Sequence, residues 1–280
     1  MTSSSANWGR LSRAERDAAY NNSAAVPGSA AWGEARNAAS AAVRAAHPAH
    51  LDLPYGASER QRWDLFPAAD ANAPCLVFIH GGYWQRNSRE GFAVLADGVR
   101  AHGFAAALPS HTLAPEATLT AIVAEIGQAL DWLALHGPAH GIAGRKIISG
   151  WSAGGHLAAM WLGHPSVAAG LAISGVYELG PLRDTYLDEK LRLSDDEMLA
   201  LSPLRLKPVQ KPLAIAYGTA ELPALVADSR DLHAHRAAAH APGPLLPVAG
   251  ADHFSVLDAL RDPRGMLTAQ VRLLAEGVDG

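Results

Sequence analysis

From Cys75 to Gly250 the chain repeats one pattern: an apolar run of strand length, then a stretch of helical or turn character. The runs are "CLVFIH" (75–80), "FAAALPS" (104–110), "KIISGW" (146–151), "LAISGVY" (171–177), "PLAIAYGT" (212–219) and "GPLLPVAG" (243–250). Unbroken apolarity, as opposed to alternation, marks strands buried on both faces. Between the second and third runs lies "ATLTAIVAEIGQALDWLALHG", where Leu119, Ile122, Val123, Ile126, Leu130, Trp132 and Leu133 recur mostly at three or four residues. That is the period of an amphipathic helix. Strands alternating with helices predict an α/β fold, a mostly parallel sheet with helices on both faces. Upstream, "LDLPYG" and "QRWDLF" flank "ASER" and predict an antiparallel hairpin, which brings the expected sheet to eight strands.

Two segments stand outside this rhythm. Residues 1–50 are rich in Ala and carry Asn-Asn, Pro-Gly and His-Pro breakers, so they predict short helices joined by turns, an N-terminal helical appendage. Residues 179–211 are polar and turn-prone and too long for an ordinary crossover, with "LSDDE" marking a helix start. They are expected to form a lid-like insertion before the seventh strand, making a small lid with the N-terminal segment. A chain of 280 residues with 49% hydrophobic and 18% charged residues suits one α/β domain over 1–280.

Composition excludes several functions. A formal charge of −4 offers no basic field for a phosphate backbone, so no nucleic-acid partner is expected. No apolar stretch has the length of a secretion signal or a membrane span, which predicts a soluble cytoplasmic protein with no membrane partner. The single cysteine, Cys75, lies inside an apolar run and is expected to be a buried thiol with no disulfide partner in the chain. The 13 histidines are scattered; His233 and His240 in "HAHRAAAH" come nearest to a cluster and are expected on a solvated helix. No metal and no cofactor are expected. The sequence carries no readable signal for or against a homo-oligomer.

The chemistry is expected around "GWSAGGH" (150–156), which matches G-x-S-x-G between the strand "KIISGW" and the helical "LAAMWL". A serine on so sharp a turn crowds the backbone, and Gly150 and Gly154 supply the small residues needed on either side. The helix that follows aims its N-terminal N–H groups at Ser152. A serine hydroxyl needs a general base and a group to orient that base. On this architecture the order is Ser, acid, His, with the histidine after the last strand, and "AGADHFSVLDAL" places His253 there. Glu221, just past "PLAIAYGT", is the favoured acid, with Asp228 on the following helix as the alternative. Asp252, adjacent to His253, is expected to form a turn. Donors for an oxyanion are expected from the N–H of Ala153 and from the loop "HGGYW", where Gly81 and Gly82 let bare backbone approach a substrate.

"HGGYW", "GWSAGGH", "LAPEATLTAIVAEIGQALDWL" and the late "DHF" together resemble the α/β-hydrolase superfamily, specifically the kynurenine formamidase (arylformamidase) group within the hormone-sensitive-lipase-like esterases. The resemblance runs from about Leu51 to the C-terminus. It implies a cofactor-free serine hydrolase acting on a small-molecule ester or amide, with Ser152, Glu221 and His253 as nucleophile, acid and base. Gly82, Tyr83 and Ala153 would surround the oxyanion, and Tyr83, Trp84 and Trp151 would wall the substrate pocket. Two positions depart from the group: Glu221 stands where an aspartate is usual, and Trp151 where a smaller or polar residue is usual. The favoured substrate is of the N-formyl-kynurenine type. The alternatives are a short-chain carboxylesterase or small amidase, a metal-dependent hydrolase, and a non-catalytic binding protein of the same fold.

Overall fold

The computed structural model describes residues 8–277. Its strands are β1 (Leu53–Pro54), β2 (Arg62–Phe66), β3 (Cys75–Ile79), β4 (Ala105–Pro109), β5 (Lys146–Trp151), β6 (Val167–Ile173), β7 (Leu213–Gly218) and β8 (Leu245–Val248). They form one sheet in the order β1-β2-β4-β3-β5-β6-β7-β8. Pairing is parallel from β4 through β8 and antiparallel on both sides of β2. Only β2 therefore runs against the rest, because β1, two residues long, turns back into the common direction. Of the two opposed strands expected, the sheet holds one.

Strands β3, β4, β5 and β7 are buried along their whole length, which is why they spell unbroken apolar runs. Their side chains still alternate between two cores. Val77, Ile79, Ile148 and Ile215 face one side, where the helix Leu119–His136 packs through Leu119, Ile122, Ile126, Leu130 and Leu133. Leu76, Phe78, Ile147 and Leu171 face the other, against Leu267 and Val271 of the helix Met266–Glu276. β6 starts earlier and stops earlier than its apolar run suggests. Ser174 takes φ 50°, which turns the chain out of the strand and leaves Val176 and Tyr177 in a loop.

The N-terminal segment is helical over Arg13–Ala19, Asn22–Ala25 and Ser29–Ala46. Ser12 and Glu15 form a capping box at its start. The long helix is bolted to the sheet by Arg44, which pairs with Asp64, fully buried on β2, at 2.8 Å; Arg89, from the segment after β3, pairs with the same carboxylate at 2.9 Å. Within 179–211, Ser194 and Glu197 cap the helix Asp195–Ala200 as the sequence predicts. This insertion lies against the N-terminal segment. The indole of Trp8 donates to Asp184 at 3.0 Å, and Tyr186 N–H donates to Asp17 at 2.7 Å. Among the described residues no helix is long and apolar enough to cross a membrane.

Candidate active site

Ser152 sits between β5 and the helix Ala153–Met160 with φ 57° and ψ −121°, a backbone conformation that side chains other than glycine rarely adopt. The neighbours that permit it are bare. A Cβ on Gly150 would lie 2.1 Å from the Gly154 carbonyl, and one on Gly154 would lie 2.0 Å from the Ile79 carbonyl. The turn is held by Ser152 N–H donating to the Ile173 carbonyl at 2.8 Å, on the neighbouring strand. Ser152 opens onto a cleft of about 260 Å³ that His253, Trp151, Phe254, Gly82 and Tyr83 also line.

Glu221 follows β7 directly and points its carboxylate at the histidine: Oε2 lies 2.7 Å from His253 Nδ1. The other oxygen accepts from Gly218 N–H at 2.6 Å and from the Ser174 hydroxyl. Both oxygens are thus fixed in a side chain with no exposed surface. With Nδ1–H donating to the carboxylate, His253 keeps a free lone pair on Nε2. Asp252 Oδ1 accepts from the N–H groups of Phe254 and Ser255 at 2.8 and 2.9 Å, so it shapes the turn that presents His253. Asp228 does not reach the histidine. Its carboxylate accepts from Tyr177 N–H at 3.2 Å, and burial pushes it well above the usual range of an aspartate.

Trp151 both walls the cleft and steadies His253. Its Nε1–H donates to the His253 carbonyl at 2.7 Å, and the two rings lie 4.9 Å apart. This explains the large residue before the serine. Trp84, expected as a pocket wall, is not one: it is 1% exposed, packs edge-on against His156 at 5.0 Å and does not line the cleft.

The loop after β3 is held from below. Burial keeps His80 neutral, so its Nδ1–H donates to the Gly81 carbonyl at 3.0 Å, where Asn87 Nδ2 also donates at 3.1 Å. A Cβ on Gly81 would meet the Trp151 carbonyl at 2.5 Å and Ser152 Cβ at 2.9 Å, so its bareness lets the loop touch the serine turn. Gly82, Tyr83 and Trp84 have φ of 120°, 51° and 56° in succession. Successive turned residues of this kind form a concavity of N–H groups suited to an anion. Among the described residues, the N–H groups of Gly82 and Tyr83 donate to no protein acceptor. Ala153, at the first helical position, likewise has no partner within its helix.

The N-terminal segment supplies the facing wall with Asn22, Ser23, Gly33, Arg36 and Asn37. Asn22 donates to the Tyr83 hydroxyl at 3.0 Å, and that hydroxyl donates to the Tyr20 carbonyl at 2.8 Å. The insertion lines no part of this cleft; it props the N-terminal segment from behind. Sequence reasoning missed Asn22, Arg36 and Ser174. Only Ser174 leaves a local trace, the Ser-Gly that interrupts "LAISGVY". Among the described residues no three His, Cys, Asp or Glu side chains are grouped to hold a metal ion. His240 lies past the end of the helix Pro223–Ala238 and does not share a face with His233.

The BD-FAE family model matches residues 64–166. Kynurenine formamidase from Danio rerio is 26% identical over 234 residues, covering 78% of this chain and 79% of that protein. A crystal structure from Silicibacter sp. TM1040, provisionally named a thioesterase, matches with a TM-score of 0.82 at 30% identity, over 91% of this chain and 98% of that one. Esterase B from Lactobacillus rhamnosis matches with a TM-score of 0.69 at 19% identity, over 95% of this chain and 98% of that one, a likeness of fold. Similarity that spans a whole solved relative, together with this sheet, puts the chain in the α/β-hydrolase superfamily, as a serine hydrolase. Within the superfamily it is similar to the kynurenine formamidases of Danio rerio and Salmo salar, at 26% and 27% identity.

Proposed function

We propose that the chain hydrolyses a small acyl amide or ester through an acyl-enzyme on Ser152, and that its preferred substrate is an N-formyl arylamine of the N-formyl-kynurenine type. The observation that carries this reading is the 2.7 Å contact of Glu221 with His253 in the cleft that also holds Ser152. Ser152 Oγ attacks the carbonyl carbon while His253 Nε2 takes its proton. Charge builds on the carbonyl oxygen, and the N–H groups of Ala153, Gly82 and Tyr83 stabilise it. Glu221 holds the imidazole in the required tautomer and stabilises the imidazolium. His253 then protonates the leaving amine or alcohol, and water activated by the same nitrogen releases the acyl group as an acid.

The named function of the Danio rerio relative supports a formyl substrate, as does a small cleft walled by Trp151, Tyr83 and Phe254. The provisional name of the 30% identical relative favours a second reading, a short-chain thioesterase or carboxylesterase using the same groups. Turnover of N-formyl-kynurenine and of phenyl acetate and phenyl butyrate on one preparation separates them. We expect kcat/KM for the formyl amide to be at least about tenfold higher. A reversed ratio assigns the chain to the second reading, and no turnover of any of the three, nor of S-phenyl thioacetate, overturns both.

A further inference from the structure

Among the described residues Arg36 is one of three buried arginines and the one left short of acceptors. Arg89 pairs with Asp52 and Asp64. Arg236 donates to the carbonyls of Val209, Lys211 and Pro242. Arg36 donates from Nη2 to Asn37 Oδ1 at 2.9 Å, and its Nε has no partner. Its guanidinium lies 3.8 Å from the centre of the Phe92 ring and 5.3 Å from that of Trp32. Stacking on rings fixes the plane of a guanidinium while leaving its edge donors free for a planar anion. Burial lowers its pKa to about 10, with no carboxylate offsetting the shift, so it stays charged at neutral pH.

Its position is as telling as its isolation. Arg36 lines the cleft that holds Ser152 and His253 and also bounds an adjoining hollow of about 320 Å³. Arg86 stands in the same cleft, and the one carboxylate there, Glu34, is exposed and forms no ion pair with Arg36 among the described residues. Glu90 and Asp258 line the hollows on the other sides of Arg36, but Glu90 pairs with Arg89 and neither forms an ion pair with Arg36 among the described residues. A buried cation in the wall of the cleft that holds Ser152, without a carboxylate of its own, is arranged for an anion brought by the substrate.

We propose that Arg36 is a specificity-determining residue that receives a carboxylate on the leaving group, so that the enzyme prefers acidic amides and esters to neutral ones. This rests on the reading of Ser152 as nucleophile, and it makes the long N-terminal helix part of the recognition site. A merely structural Arg36, stacked to hold that helix on Phe92, would lower all substrates alike when replaced.

The test uses aryl formamides and aryl acetates whose ring bears a carboxylate on a tether of one to four methylenes, each beside its neutral primary amide. For the best tether the parent is expected to favour the carboxylate member by roughly 10- to 100-fold in kcat/KM. Arg36→Met is expected to erase that ratio, chiefly through KM, and Arg36→Lys to retain part of it. Inhibition of the parent by phenylalkanoates against their amides reads the same preference without any variant. A parent with no preference at any tether, or an Arg36→Met that lowers both members equally, overturns the inference and leaves the serine reading standing. Failure to turn over either member, with Ser152 unlabelled by a fluorophosphonate, overturns the serine reading and this inference with it.

Discussion

Glu221 and Asp228 are both buried carboxylates near the end of β7, and their hydrogen-bond partners give them different chemistry. Glu221 accepts from Gly218, Ser174 and His253, an environment built for an anion. Asp228 accepts from the backbone N–H groups of Tyr177 and Glu178, and burial outweighs them and raises its pKa. Glu221→Gln is therefore expected to lower kcat by about 10³ to 10⁴, the scale of losing the group that sets a histidine tautomer. Asp228→Asn is expected to change kcat by less than about tenfold and to stabilise the fold. An unfolded aspartate releases its proton near pH 4, while folded Asp228 holds it to higher pH. Between those two values the folded state carries the extra proton, so stability falls as pH rises. Thermal unfolding from pH 4 to 8 should show the asparagine variant gaining on the parent as pH climbs. Equal Tm values throughout, or a crippled Asp228→Asn, would reverse the assignment.

At the scale of elements, the serine turn was legible because its demands are local: a nucleophile between strand and helix needs Gly150 and Gly154, and both stand in the sequence. The cleft's other wall was not legible. Asn22 and Arg36 sit in alanine-rich helices, and nothing near them in sequence says that the long helix returns to β2 and to the loop after β3. The expected lid divides accordingly, with the N-terminal segment at the cleft and the insertion behind it. Tyr83 couples the two sides through its hydroxyl. Tyr83→Phe leaves the Tyr20 carbonyl and the Asn22 amide short of a partner, a cost of about 1–3 kcal/mol. We expect faster proteolysis before residue 26 and a KM that rises more than kcat falls. Unchanged cleavage and KM would show that the segment is held by other contacts.

Across the whole molecule, the parallel sheet does the assembling. The loop after β3, the turn after β5, Glu221 after β7 and His253 after β8 all leave the carboxyl ends of their strands, where sheets of this type bind ligands. The positions of the central strands could be read because strands buried on both faces announce themselves as apolar runs, whereas their order in the sheet could not; β6 was misplaced because its run continues past Ser174 into a buried loop. Cys75, the one cysteine, lies inside the sheet with its thiol pushed up to about 12, so it offers no competing nucleophile. Labelling with an aryl fluorophosphonate, followed by intact mass and peptide mapping, therefore tests the central claim directly. The account predicts one adduct, on Ser152, formed in step with loss of turnover, and a folded Ser152→Ala that takes no label and loses about 10⁴- to 10⁶-fold in kcat. An inactivating adduct on another residue, or turnover retained in Ser152→Ala, would contradict it.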